Sequence, residues 1–152
     1  KALSNMTSEM NKNSIGVYTP AELILARSEA FSRGDFGFIF DTYHSESNFR
    51  RQFVERDQYL DFGNSSLGPD YQITSCEVLQ HQQNNEEAQV IFLMEMKAHG
   101  ITQRFAELAW LRQERDAWRY HRGLKITNED LPESPRSLSF TDFAKLDQSA
   151  VF

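Results

Sequence analysis

Apolar residues recur at helical spacing from Thr19 onward, and from Pro69 onward they recur at every second position. Thr19-Pro20-Ala21-Glu22 has the composition of a helix start. The Thr hydroxyl caps, Pro suits the first turn, and Glu22 stands where its carboxylate can return to the cap. Leu23, Ala26, Ala30 and Phe31 continue the stripe until Gly34 ends it. Asp35 caps a second helix with Phe36, Ile39, Phe40 and Tyr43 on one face and Phe38 off it. After a break at 45–48, a third helix is predicted from Phe49 to Phe62, with Phe49, Phe53 and Leu60 buried and Gly63 closing it.

Beyond Pro69 four strands are predicted, at about 70–82, 88–98, 101–113 and 117–126. Asn84-Asn85, His99-Gly100 and Arg115-Asp116 are the turns between them. Helices followed by strands joined through short turns predict an α+β fold, in which N-terminal helices pack in the concave face of a curved four-stranded antiparallel sheet. The expected organisation is a flexible arm over 1–18, a cone-shaped domain over 19–127 and a tail over 128–152. In the tail, Phe140, Phe143 and Leu146 fit one short docked helix, with a free tail as the alternative. Both faces of the second strand are partly apolar. One is expected to cover the helices; the other, with Ile91, Leu93 and Trp110, is expected to be exposed and to pair two copies in a homodimer.

Composition narrows the function classes. A net charge of −6 argues against a nucleic-acid binder, which needs a basic face. Arg50, Arg51 and Arg56 are interleaved with Glu55, Asp57 and Asp61 and read as a solvated helix face. No run reaches the roughly 18 apolar residues of a membrane span. Cys76 is the only cysteine, so no internal disulfide or Cys/His zinc set is available, and a reducing cytoplasm is the expected setting. No metal or other cofactor is called for. Nineteen aromatic residues (twelve Phe, five Tyr, two Trp) are enough to fill a core or line a pocket for a small apolar or amphipathic ligand.

Arg27, Ala30, Phe31, Gly34, Asp35 and Thr42-Tyr43-His44, taken with Val90-Ile91-Phe92, Glu107, Trp118-Arg119-Tyr120 and Gly123, resemble the nuclear-transport-factor-2-like middle domain of the YchJ-like bacterial family. The resemblance spans about residues 19–127. It implies a cone of curved sheet around helices with a pocket in the open end, a fold shared by isomerases, dehydratases, hydrolases and many non-catalytic binding or dimerisation modules. Ser28, Met94, Ala109 and Leu111 depart from the residues usual in that family. The Cys-rich SEC-C motifs that often accompany the domain have no counterpart here, so their zinc-linked function does not carry over.

Several side chains carry candidate chemistry. Glu107 lies in an apolar run; if it faces inward with Phe105, Ala109 and Leu111 it is a buried carboxylate, either paired with Arg27 or acting as a general base. His44, at the end of the second helix, is a second acid–base candidate or a cap for free carbonyls. Arg27, Thr42, Tyr43, His44, Trp118 and Tyr120 form the candidate ligand-binding set. Asp35-Phe36-Gly37 spells a kinase triplet but lacks every companion motif, and it reads as a helix start. The expected function is a non-catalytic binding or dimerisation module. The alternative is a cofactor-free isomerase, dehydratase or hydrolase using Glu107 or His44, which requires acid and hydroxyl groups to converge on an open void.

Overall fold

A computed structural model describes residues 18–152. The proposed arm therefore lies, apart from Tyr18, outside the described residues. Helix α1 spans Pro20–Ser32 and begins with both bonds of a capping box. Thr19 Oγ1 accepts from the Glu22 N–H at 3.1 Å, and Glu22 Oε1 accepts from the Thr19 N–H at 2.9 Å. Gly34, at φ 73°, turns the chain, and Asp35 Oδ1 caps α2 (Phe36–Asp41) by accepting from the Phe38 N–H.

The third predicted helix is two helices, α3 (Asn48–Gln52) and α4 (Arg56–Phe62). Ser47 caps α3, and at Phe53 the backbone leaves the helical region at φ −110°, ψ 86°. The gain is aromatic packing. Phe53 turns into a cluster with Phe49, Tyr59 and Phe62, at centroid distances of 5.2–5.6 Å. Gly63 does not end the helical path either. The chain continues through a π-helical turn (Gly63–Leu67) into the short α5 (Gly68–Asp70), and a Cβ at Gly63 would overlap the Phe36 ring. The glycine is there for close packing rather than for termination.

Strands β1 (Tyr71–Gln83), β2 (Glu87–Ala98), β3 (Ile101–Glu114) and β4 (Ala117–Thr127) form one antiparallel sheet in the order β1-β2-β3-β4. His99-Gly100 and Arg115-Asp116 turn the chain with positive φ at both residues, as two-residue hairpin loops require. The pairing slips between Ile73 and Ser75, between Val78 and Gln80, and at the step from Trp110 to Leu111, where His121 of β4 is left over. Each extra residue resets the alternation of faces, so Ile73, Cys76 and Val78 all join the helix-facing core although odd spacings separate some of them.

The inner face, which includes Val90, Phe92, Leu111, Trp118 and Tyr120, packs on Leu23 and Ile24 of α1. The outer face is also a core. Ile91, Leu93 and Trp110, expected to be exposed, are buried beneath the chain's own C-terminal segment. Leu138 and Phe143 of that segment, the latter on α6 (Phe140–Ala144), seal the face. Hydrophobic burial favours whichever cover is at hand, and a covalently attached one has the shortest distance to travel. No described helix is long and apolar enough to cross a membrane.

Phe143 is fully buried. Phe143→Ala is therefore expected to lower unfolding stability by about 3–5 kcal/mol in urea titrations. A loss below about 1 kcal/mol, the scale of a surface substitution, would mean that the segment does not dock.

Candidate functional site

The site begins where the end of α2 meets the free edge of β4. The Tyr120 N–H donates to the Thr42 carbonyl and the His44 N–H donates to the Tyr120 carbonyl, both at 2.8 Å, so residues 42–44 run parallel along that edge. This places the Tyr43 and Tyr120 rings edge to face, with centroids 5.3 Å apart. Arg27, from the middle of α1, lies against both. Its Cζ is 4.3 Å from the Tyr43 centroid and 4.8 Å from that of Tyr120.

One guanidinium nitrogen of Arg27, Nη1, donates to Thr42 Oγ1 at 2.6 Å and to the Ile39 carbonyl at 3.1 Å. The Thr42 hydroxyl in turn donates to the Phe38 carbonyl at 2.7 Å, which orients its lone pairs toward the arginine. The Tyr43 hydroxyl also interacts with the guanidinium, and among the described residues no carboxylate lies within ion-pair distance of Arg27.

Glu107 does face inward with Phe105, Ala109 and Leu111, and it is 4% exposed. Its partner is not Arg27. The Tyr120 hydroxyl donates to Glu107 Oε2, so the tyrosine stands between the two charged groups with its ring against one and its hydroxyl on the other. Burial holds the Glu107 carboxyl above the ordinary range, opposed by Lys125, by the Tyr120 bond and by Arg27. Burial, reinforced by Glu107, pushes the Tyr120 phenol well up; burial also raises Tyr43, with Arg27 opposing.

Gly123 makes this pair possible. A Cβ there would overlap the Tyr120 hydroxyl and lie 2.6 Å from Glu107 Oε2 and 2.8 Å from the Phe152 ring. Phe152 exchanges both main-chain bonds with Gly123, at 2.9 and 3.1 Å, and the Lys125 amine sits over the Phe105 and Phe152 rings. Lys125 and Phe152 were missed by sequence reasoning. Lys125 had a signal, since β4 alternation past Gly123 points it inward; Phe152 had none.

The other candidates lie apart. Trp118 is inward but deep in the core, 8% exposed, and serves packing. His44 is buried on the other side of the edge, 5.4 Å from the His121 ring, and caps no helix carbonyl. Its Nδ1 accepts from the Glu46 N–H at 3.0 Å, so the ring faces away from the Tyr43 side of the edge. Burial, with Arg112, Arg122 and His44 adding to it, lowers His121 to about 4. Burial pushes the Cys76 thiol up to about 11, which favours the protonated thiol at neutral pH. No trio of His, Cys, Asp or Glu among the described residues is placed to hold a metal.

The inner face is filled at depth, and toward its rim several side chains are only partly buried. Phe92 and Met94 are buried, whereas Arg27, Phe38, Tyr43, Phe105 and Met96 keep part of their surface. A cation between aromatic walls suits a small molecule with an anionic head and an apolar body.

Because burial raises the Glu107 pKa, folding disfavours its ionised form. This carboxyl costs no stability below its unfolded pKa, where it is protonated in both states. Stability falls as pH rises from the ordinary carboxyl range through the raised value. Glu107→Gln, which mimics the protonated acid, is expected to match the wild type in acid and to exceed it progressively toward neutrality in paired denaturation curves. A gap that is constant with pH would show that the carboxyl is not destabilised when ionised.

Residues 19–123 match the family described as YchJ, middle NTF2-like domain, and the chain belongs to that family. Among curated proteins none matches. A SEC-C-motif-containing protein from Rhodopseudomonas palustris, known from its solution structure, is similar at 20% identity, with 74% of this chain and 81% of that one covered and a TM-score of 0.57. A putative Ca/calmodulin-dependent kinase II association domain from Exiguobacterium sibiricum is similar at 13% identity, covering 70% and 88%, with a TM-score of 0.50. At these identities the likeness is one of fold.

Proposed function

We propose that this YchJ-type middle domain is a non-catalytic binding module that holds a small amphipathic anion on the inner face of its sheet. One observation carries the reading: Arg27 is held by Nη1 bonds to Thr42 and Ile39 and lies against the Tyr43 and Tyr120 rings, with no carboxylate within ion-pair distance among the described residues, beside partly exposed aromatic side chains. A guanidinium already fixed in place loses little rotamer freedom when it binds a carboxylate, so more of the attraction is retained as affinity. Phe38, Tyr43 and Phe105 offer the apolar contact.

Acid–base catalysis is a second reading, favoured by the raised Glu107 carboxyl and its phenol partner. It stands behind binding because Glu107 and Tyr120 are 4% and 6% exposed, and Phe152 lies over the neighbouring Gly123, which leaves a substrate little access to the pair. Homodimerisation through the outer face stands behind it too, since a second copy would first have to displace Leu138 and Phe143.

Octanoate and its neutral counterpart octanol separate these readings. At ten times its dissociation constant, octanoate should stabilise the wild type by about 1.4 kcal/mol, a rise in Tm of roughly 3–6 °C. Octanol should do much less, and Arg27→Met should weaken octanoate at least ten-fold while leaving the fold intact by circular dichroism. Equal effects of acid and alcohol, or an Arg27→Met protein that binds octanoate unchanged, would overturn the proposal.

A further inference from the structure

A cleft of about 580 Å³ opens where the C-terminal end of α1 meets the start of β1 and the turn between β2 and β3. Its volume lies in the range of pockets that hold small organic ligands. Arg27, Tyr43, Glu107 and Tyr120 do not line it, so it is independent of the site above.

Its chemistry is two-sided. Phe31 from α1 and Tyr71 and Ile73 from β1 supply half-buried apolar walls, while Arg33, the C-cap residue of α1, and Lys97 of β2 supply cations from different elements. Lys97 has no carboxylate within ion-pair distance among the described residues. Arg33 has a single long contact to Asp35, at 3.8 Å with both side chains largely exposed, and such a pair holds its partners weakly.

The acidic side of the ledger is smaller. Asp70, the one carboxylate in the lining, is turned toward His99, with its carboxylate 4.0 Å from the ring and its carbonyl accepting from the His99 N–H at 3.0 Å. The C-terminal carbonyls of α1 oppose an anion, and Arg33 is the charge placed to offset them. Gly34 and Gly100, at φ 73° and 81°, border the cleft with open space where a Cβ would stand, so the entrance is unobstructed there.

We propose that this cleft is a second ligand site, binding a small aromatic carboxylate with its ring against Phe31, Tyr71 and Ile73 and its carboxylate on Lys97 and Arg33. The inference goes beyond the Arg27 reading and does not depend on it. A carboxylate matches two cations from different walls, and an aromatic ring matches the apolar lining between them.

The test is a titration of 2-naphthoate into nitrogen-15-labelled protein, read by amide chemical shifts, with 2-naphthylmethanol as the neutral probe. The expected result is that the Gly34, Tyr71, Gln72 and Gly100 amides shift together. Binding should be at least ten-fold weaker for the alcohol and for the Arg33→Gln/Lys97→Gln double variant. Both substituted residues are exposed, so the fold should be retained. Shifts confined to amides around Arg27, Tyr43 and Tyr120 would overturn the cleft while leaving the inner-face reading intact. A double variant or a neutral probe that binds as well as the parent pair would overturn it too. Arg27→Met run in parallel keeps the two sites distinguishable: it should leave the four cleft amides responding as before.

Discussion

Tyr120 is the joint on which the inner face is assembled. Its main chain bonds the segment that follows α2, its ring supports Arg27 from α1, and its hydroxyl holds the carboxylate of Glu107 on β3. Helical layer and sheet thus meet at one residue through three kinds of interaction. Each constrains the others. The edge bonds fix where the ring lies, the ring fixes where the guanidinium rests, and the hydroxyl satisfies a carboxylate that burial would otherwise make very costly.

This joint needs small residues around it. On the inner face of β3 and β4, Ala109 and Gly123 stand opposite each other between Tyr120 and Glu107, and the lane they leave is the one the tyrosine hydroxyl crosses. The extra residue at His121 keeps Tyr120 and Gly123 on the same face despite their odd spacing. A strand without that bulge would turn Gly123 outward and put a side chain in the lane.

The sheet was legible in the sequence to within a residue or so at each end. Alternation is a strong local signal, and His99-Gly100 and Arg115-Asp116 announce their own turns. The alternation tied Glu107 to the face of Phe105, Ala109 and Leu111, and the structure turns that face inward. Its partner was not legible, because charge alone selects Arg27, whereas the bulge and the glycine lane that bring Tyr120 between them are tertiary facts. The split of the third helix was hidden for a similar reason: Phe53 leaves its helix to join aromatic neighbours across the cluster. His44 was misplaced because the edge bridge at Tyr43 sends neighbouring side chains to opposite sides. The covered outer face was the hardest to foresee. Ile91, Leu93 and Trp110 look the same in sequence whether a second copy or the chain's own tail lies over them.

If Tyr120 is the joint of the inner face, its hydroxyl and the Glu107 carboxyl must be energetically linked and not merely adjacent. A double-mutant cycle in urea with Tyr120→Phe, Glu107→Leu and the combined variant measures that link directly. The account predicts a coupling of about 1–3 kcal/mol, the worth of a buried hydrogen bond to a carboxylate. Additivity within about 0.3–0.5 kcal/mol, as found for independent sites, would contradict it.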